Sequence, residues 1–397
     1  MAKTVYKKKV KNGTEYYFYR LRHKNLKNPK DIYAKTVKEL ESKINKIKNN
    51  LDYGIENNKE YFENFFTNWL FNVKFTTLKP STKEKYEGLY RNYIKNSSLS
   101  KIYVKNLTLN DIQDYYKNIL NAGASPNCIA NINKLIAPCI RYAYNNNLII
   151  KDFSKAIILP KESETDKLSK KNKIIPFTLD EQKRFIAAIK GDEYEMLYIT
   201  ALNTGMRQGE LFALTWSDVD LTNGYININK TAKNVSDVSR DGRKKATMRI
   251  QTPKTINSIR KIKIPNFLIS LLKTYKLKQK EHKLKLADLY KDKNLVFANA
   301  YGNYLDSSNI RKRMNKIIDT MNSKDKDHYI EPRKFHDLRH TYATRLFELG
   351  EEPKTVQELL GHSDVSVTLN TYTHVLDDIK DKAISKLDNL CKTMGQI

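Results

Sequence analysis

The sequence has no run of about eighteen apolar residues that could span a membrane, and no apolar segment near its start that would form a secretion signal. It contains only three cysteines, Cys128, Cys139 and Cys391, an odd number without the spacing of a metal site. This usage fits a reducing compartment and structural thiols rather than a zinc protein. We therefore expect a cytoplasmic protein with no membrane partner.

Two further absences concern phosphate chemistry. The chain has no glycine-rich loop of the kind that binds ATP. It also has no cluster of Asp and Glu that would indicate bound magnesium. We therefore expect no metal and no cofactor, so that any reaction at a phosphate would depend on side chains of the protein itself.

Positive charge, in contrast, is abundant. The 72 Lys and Arg outnumber the 44 Asp and Glu, which gives a net charge of +28 and a pI near 9.6. Such a field attracts a polyanion, most often a nucleic acid. A lysine-rich proteome would give the same composition, so the charge by itself indicates a nucleic-acid partner without identifying one.

The length of 397 residues exceeds one ordinary core and predicts two or three domains. The first covers residues 1–56. Alternating patterns at 4–10 and 15–22, joined by an Asn-Gly turn, and a short run at 32–34 predict three strands. Apolar residues at helical spacing predict a helix over 36–51, so the module is β-β-β-α.

The predicted sheet of this first module is dense in basic and aromatic residues. A small sheet of this kind can lie in the major groove of DNA. Because strand side chains alternate, only one face can bind, and a solvated face on a structural module is the alternative. The candidate DNA contacts are Lys7, Lys9, Tyr17, Tyr19, Arg20 and Arg22.

Residues 62–160 show helical periodicity throughout and predict a bundle of about four or five helices. Thr108 and Ser125 precede two of these helices and suit the N-cap position. Basic side chains on the bundle are candidate phosphate contacts, although each one fits a solvated surface equally well. They are Lys79, Lys83, Lys85, Arg91, Lys134 and Arg141.

Residues 161–173 are charged, lack apolar periodicity and predict a linker to a third domain, 174–397. Alternating patterns at 225–228 and 258–265 predict strands, and a basic excursion lies between them. Further helices follow, ending in an amphipathic tail helix over 376–390. The fold class is therefore mainly α with small β-sheets.

The third domain carries the chemistry. His336 and Arg339 are three residues apart at the start of a helix, so both can point from one face. His362 and Tyr372 follow at short intervals, and Arg207 lies far upstream at the start of another helix. Arginine forks match phosphate oxygens, and a tyrosine is a competent oxygen nucleophile towards phosphorus. These residue types suit phosphoryl transfer.

The stretches that carry these residues resemble the tyrosine recombinases, the family of phage and transposon integrases. The similarity spans about residues 175–375. Six positions carry function in the family, and none of them departs from the family pattern here: they are Arg207, Lys254, His336, Arg339, His362 and Tyr372. The matching segments, in order, are TGMRQGE at 204–210, TPKT at 252–255 with SIR at 258–260, HDLRHT at 336–341, LGHS at 360–363 and TLNTY at 368–372.

The resemblance implies which residues would act as the nucleophile, the general base and the general acid. Tyr372 would attack the scissile phosphate and leave a 3′-phosphotyrosyl enzyme and a free 5′-hydroxyl. His336 would handle the tyrosine proton, and Lys254 would protonate the leaving 5′-oxygen. Neighbouring basic residues compete for the role of Lys254 and are further candidates for DNA contact. They are Arg243, Lys244 and Lys245.

The remaining roles concern the phosphate oxygens. By the same resemblance, Arg207 and Arg339 would clamp the non-bridging oxygens, and His362 would hydrogen-bond the phosphate or the arginines. We interpret Asp337 and His340 as structural, through helix capping and packing. No metal ligand is implied.

The resemblance also assigns the domains and their partners. Residues 1–56 would bind arm sites on double-stranded DNA, and 62–160 would be a SAM-like domain that binds core sites. Residues 174–397 would be the catalytic domain with its tail helix, which packs either in trans on a neighbouring protomer or in cis. The family arrangement is a tetramer in the synaptic complex, with an excisionase or a host DNA-bending protein as a further partner.

The leading hypothesis is a site-specific recombinase that integrates or excises a mobile element or a prophage. The phosphotyrosyl bond keeps the energy of the broken diester, so strand exchange needs no ATP. A type IB topoisomerase, which shares this chemistry without pairing two sites, is one alternative. A DNA-binding protein that has lost catalysis is the other, and the intact set of six residues argues against it.

Overall fold

The computed structural model describes residues 6–24, 26, 28–52, 60–163, 175–252, 259–371, 384 and 393–394. Two compact units make up the chain. One contains Met1–Glu164 and Ser236–Lys245, and the other contains Thr165–Val235 and Ala246–Ile397. The mainly helical fold with small sheets is confirmed, and none of the helices described is long and apolar enough to cross a membrane.

The N-terminal module is an antiparallel sheet with one helix. Its strands run in the order β1 (Lys7–Lys11), β2 (Thr14–Leu21) and β3 (Lys30–Ala34), followed by α1 (Val37–Asp52). Asn12 and Gly13 both have positive φ in the turn between β1 and β2, as the Asn-Gly pair predicts. The β-β-β-α order predicted from the sequence is confirmed.

The expected shared face of the sheet needs correction. Tyr17 and Tyr19 pack against the core that the sheet forms with α1, so they lie on the opposite face from Lys7 and Lys9. The cross-strand partners of Lys7 and Lys9 are Phe18 and Tyr16, which places those two rings on the outer face. The mistake arose because aromatic residues occupy both faces of β2, and the strand pattern alone does not say which face the helix covers.

The two arginines at the end of β2 are both exposed. Arg20 lies on the outer face and forms an ion pair with Asp31 of β3, Nε to Oδ1, at 2.7 Å. Arg22 lies just beyond the last residue of β2. The outer face therefore carries basic residues packed over aromatic rings. For example, Lys9 Nζ lies 4.0 Å from the centre of the Phe18 ring.

A helical bundle follows in the same unit. Thr108 and Ser125 cap two of its helices, since their side-chain oxygens accept hydrogen bonds from Asp111 N and Cys128 N at 3.3 and 3.2 Å. The helices are α2 (Phe62–Asn68), α3 (Pro80–Leu89), α4 (Leu109–Asn121) and α5 (Pro126–Asn145), with π-turns at Trp69–Val73 and Tyr90–Ile94 and 3-10 turns at Lys74–Thr77, Ser98–Lys101, Val104–Asn106 and Ser154–Ala156.

The second unit contains most of the remaining helices. Its first helix begins at a capping box in which Thr178 Oγ1 accepts from Glu181 N at 3.1 Å. The helices are α6 (Leu179–Ala188), α7 (Glu195–Thr204), α8 (Gln208–Ala213), α9 (Asn266–Leu286), α10 (Ser307–Lys324), α11 (Phe335–Glu348), α12 (Pro353–Leu360) and α13 (Val365–Thr371), with 3-10 turns at Trp216–Asp218 and Ala287–Leu289.

Between α8 and α9 the chain forms short antiparallel strands. β4 (Val219–Asp220), β5 (Tyr225–Ile228) and β10 (Arg260–Lys263) form one sheet in the order β10-β5-β4. The strands β5 and β10 lie where the alternating patterns predict them. Two further pairs lie between them: β6 (Thr231–Val235) with β9 (Thr247–Gln251), and β7 (Val238–Ser239) with β8 (Gly242–Arg243).

Candidate active site

The site lies where two helices end in glycine. Helix α7 ends at Gly205 (φ 60°) and α12 ends at Gly361 (φ 66°), both in the left-handed conformation. A Cβ atom on Gly205 would lie 2.5 Å from Tyr342 Cδ1 and 2.9 Å from Leu360 Cδ2. Glycine is therefore required at this position both for its φ and for the close approach of the two helix ends.

Arg339 connects these two helix ends. It extends from α11 and is only 2% exposed. Its Nη1 donates to Gly205 O and its Nη2 donates to Leu360 O, each at 2.7 Å. A buried guanidinium is costly unless strong acceptors surround it, and the carbonyl oxygens at helix ends carry partial negative charge. The contacts therefore hold Arg339 in one orientation.

Arg207 lies beside the same helix ends. It occupies the N-cap position of α8, and its side chain is 35% exposed. Its Nη2 donates to Gly361 O at 3.2 Å, and its Nη1 donates to Glu210 Oε1 at 2.9 Å. Gly361 directly follows Leu360, whose carbonyl oxygen binds Arg339, so the two guanidinium groups are neighbours. Together they form a concentrated positive site suited to a phosphate.

Two histidines join the arginines. His336 lies one turn before Arg339 on α11, and burial together with Arg339 and Arg207 lowers its pKa to about 4. Burial, Arg339 and Arg207 lower the pKa of His362 to about 4 as well, and its Nδ1 lies 2.8 Å from Thr368 Oγ1. Both imidazoles are therefore neutral near pH 7 and able to accept a proton or a hydrogen bond.

The other polar residues of the central motif support α11. Asp337 Oδ2 accepts from Lys334 N at 2.6 Å, which caps the helix as expected. His340 packs edge-on against His336, with ring centres 4.9 Å apart and planes at 84°. Burial, His336 and Arg339 lower its pKa to about 3. These contacts agree with the packing role expected for His340.

Lys254 and Tyr372 lie outside the described residues, as does all but residue 384 of the tail helix expected over 376–390. Their assigned roles therefore remain predictions. Tyr372 follows directly on the last residue of α13. Because Thr368 on this helix bonds His362, the segment leading to Tyr372 starts beside the arginine pair.

Two charged residues at the site had no role assigned from the sequence. Glu210 is 4% exposed and contacts both Arg207 and Arg260. The position of Glu210 three residues after Arg207 at a helix start could have indicated it, because this spacing is that of a capping carboxylate. Arg260 lies in the segment SIR that matches the family pattern, but no local signal indicated its contact with Glu210, which lies fifty positions earlier in the sequence.

Some of the lysines expected to contact phosphate in the helical bundle converge. Lys85 of α3 and Lys134 of α5 both donate to Asn131 Oδ1, at 3.1 and 3.3 Å. Lys79 precedes α3, and Lys83 lies 6.0 Å from the centre of the Phe75 ring. The first two lysines thus form a small basic cluster on one side of the bundle, and their contact with DNA remains a prediction.

The arginines among these candidates are instead paired with carboxylates, which reduces the positive charge they present. The pairs are Arg91 with Glu87 at 3.0 Å, Arg141 with Asp152 at 3.6 Å, and Arg243 with Glu84. In contrast, the candidates Lys244 and Lys245, near the β7–β8 turn, are exposed.

Comparison with known proteins identifies the family. The phage integrase family matches residues 177–378, and the N-terminal SAM-like domain of phage integrases matches residues 61–120. The chain therefore belongs to the phage integrase family, the tyrosine recombinases, and is an enzyme that cuts and rejoins DNA in site-specific recombination. The family and the activity expected from the motifs are confirmed.

Individual relatives agree with this assignment. A "Tyrosine recombinase XerC-like" protein of Caldanaerobacter subterraneus subsp. tengcongensis is 37% identical over 394 residues, covering 96% of this chain and 98% of the relative. The ICEBs1 integrase of Bacillus subtilis is 27% identical over 75% of this chain and 76% of its own. A structure of the Tn1549 transposon integrase with a circular intermediate DNA shares the fold, with TM-score 0.62, 20% identity and coverage of 83% and 99%.

Proposed function

We propose that this recombinase integrates and excises a mobile element by joining DNA strands through a 3′-phosphotyrosyl intermediate at Tyr372. The observation that carries the proposal is the convergence of Arg207 and Arg339 on the two glycine-ended helices, beside two neutral histidines. The relatives support the substrate, since one is named as the ICEBs1 integrase and another is a transposon integrase in complex with circular intermediate DNA.

The reaction conserves the energy of the diester bond. The Tyr372 oxygen attacks phosphorus, the bond from phosphorus to the 5′-oxygen breaks, and the 3′ end becomes bonded to tyrosine. His336, which is neutral, takes the tyrosine proton, and Lys254 gives a proton to the leaving 5′-oxygen. In the second half, a 5′-hydroxyl of the partner strand attacks the phosphotyrosine and releases the enzyme.

The arginines stabilise the charge that builds on the phosphate. Their guanidinium groups are already oriented by main-chain carbonyls, so little reorganisation is needed when negative charge develops on the non-bridging oxygens. His362 hydrogen-bonds a phosphate oxygen from the side of α13. All of these groups belong to the protein.

We further propose the assembly in which this reaction occurs. Residues 62–160 and the catalytic domain would bind core sites, and the outer face of the β1–β2–β3 sheet would bind arm sites. Four protomers would join two duplexes in the cytoplasm, assisted by an excisionase or a host DNA-bending protein. The tail after α13 would pack in trans on a neighbouring protomer.

The test is a duplex that carries the element end and a nick just 3′ of the scissile phosphate. Loss of the short fragment traps the covalent complex, which migrates as a slower band on a denaturing gel. Tyr372→Phe should abolish this band and leave DNA binding unchanged, because only the nucleophilic oxygen is lost. The matched control is Tyr301→Phe, an exposed tyrosine of the same unit, which should keep the band.

A covalent band from Tyr372→Phe would refute the nucleophile assignment. Equally fast relaxation of a supercoiled plasmid with and without the site would instead indicate a topoisomerase.

A further inference from the structure

Arg260, the first residue of β10, is buried beside the arginine pair, with its side chain 8% exposed. Its Nη1 and Nη2 donate to the two oxygens of Glu210 at 3.2 and 3.0 Å. Its Nε donates to Leu359 O in the last turn of α12 at 2.9 Å. A planar fork with three donors in use is a geometry that only arginine provides.

Glu210 links Arg260 to Arg207. Its Oε1 accepts from Arg207 Nη1, and its Oε2 accepts from Arg207 N, both at 2.9 Å. The carboxylate thus lies between two guanidinium groups, one held inside the unit and one partly exposed at the site. Any rotation of the carboxylate would move the Arg207 guanidinium with it.

The Nε of Arg260 binds next to the main-chain oxygens that accept from Arg339 and Arg207. Leu359, which binds Arg260, directly precedes Leu360 and Gly361, whose carbonyls bind Arg339 and Arg207. Arg260 therefore fixes both the carboxylate that aims Arg207 and the helix end that receives the two arginines. An ordinary structural ion pair would contact only one of these.

We propose that Arg260 is a positioning residue that sets the orientation of Arg207 through Glu210 and the end of α12. It does not touch the phosphate itself. Its loss would misplace the Arg207 guanidinium, which lowers the rate of strand cleavage more than it lowers affinity for DNA. The inference rests on the proposed function, since it assumes that Arg207 acts on the scissile phosphate.

The experiment measures the single-turnover rate of covalent-complex formation on the nicked duplex at saturating protein. Arg260→Met should slow cleavage about ten- to a hundredfold while the dissociation constant for DNA changes less than about twofold. Arg260→Lys keeps the charge but not the planar fork, so its cleavage rate should lie between those of the wild type and of Arg260→Met. The control is Arg313→Met, which removes a contact to Asp192 in the same unit and should cleave at the wild-type rate.

A second measurement separates positioning from general destabilisation. If Arg260 acts mainly through Arg207, Arg260→Met should slow cleavage much less in an Arg207→Ala background than in the wild type, because only its effect on the end of α12 remains. General destabilisation would slow cleavage equally in both backgrounds. Wild-type cleavage by Arg260→Met, an equal loss in both backgrounds, or a full rate for Arg260→Lys would each overturn the proposal. Absence of a covalent complex with the wild-type protein would overturn the function on which it rests.

Discussion

The histidines of the site owe their neutral state to burial first and to the arginines beside them second. Placing a proton on His336 or His362 would add a charge next to Arg339 and Arg207 in a partly buried setting, and this lowers both pKa values. A bound phosphate brings negative charge to the same place and raises the pKa of each ring. The site thus binds with neutral bases that become better bases once DNA is present.

The lowered pKa values predict how stability depends on pH. His336 has a pKa of about 4 when folded and about 6.5 when unfolded, so the unfolded chain binds more protons between these values. Stability of the protein without DNA should therefore fall as pH drops from about 6.5 to about 4. Urea unfolding at several pH values measures this fall.

The contribution of the single ring can be isolated by comparison with His336→Asn, which cannot titrate. This variant should lose less stability than the wild type over the same pH range. Parallel curves for the two proteins would contradict the shifted pKa, because all other titrating groups are common to both.

At the scale of helices and strands, the ends of α7 and α12 determine where the catalytic side chains lie. Gly205→Ala places a residue at φ 60° and brings its Cβ to 2.5 Å from the ring of Tyr342. The strain should cost about 1–2 kcal/mol and the overlap about 1–3 kcal/mol more. We expect a clear drop in the midpoint of thermal unfolding and a loss of cleavage.

The matched control is Gly191→Ala in the same unit. Gly191 also has positive φ, 77°, but nothing lies within 4 Å of an added Cβ atom. This variant should show the strain alone and keep its cleavage activity. Equal destabilisation by both substitutions would mean that the contact between the two helix ends contributes little.

Helix starts were predictable because their signals are local. Thr108 and Ser125 each cap the helix that follows, as their position in the sequence predicts. The strands β6 and β9 were not identified, since the sequence TAKNV of β6 mixes polar residues with no clear alternation. Their pairing depends on contacts between residues distant in the sequence, and a local pattern does not contain these.

The same distinction applies to the site. The residue types and their order identified Arg207, His336, Arg339 and His362, and the structure brings these four together. The contact of Arg260 with Glu210 joins a strand to a helix fifty positions earlier. It follows from the path of the chain rather than from either motif alone, so the sequence could not reveal it.

For the molecule as a whole, the net charge of +28 predicts salt-sensitive binding to DNA. On the outer sheet face, Lys9 and Lys11 lie over Phe18 and Tyr33, at 4.0 and 5.0 Å from the ring centres. If both lysines contact phosphates, Lys9→Ala with Lys11→Ala should make the plot of log affinity against log salt less steep by about two.

Lys8 provides the control for this prediction. It lies on the same strand but pairs across to Tyr17, on the face that packs against α1, and it contacts Glu15 at 2.8 Å. Lys8→Ala should leave the salt dependence nearly unchanged. An equal effect of Lys8→Ala would mean that the sheet attracts DNA by general charge rather than through one face. The measurement is binding to an arm-site duplex at several salt concentrations.

The oxygens that hold Arg207 and Arg339 at the two helix ends belong to the main chain of Gly205, Leu360 and Gly361. Replacing a side chain cannot delete a main-chain oxygen. Many substitutions around the catalytic centre should thus leave its arginines in place, provided that the backbone keeps its course. Genetic drift can then alter much of the surroundings of such an enzyme, and its vulnerability is concentrated in the glycines that fix that course and in Glu210 and Arg260, whose side chains position Arg207.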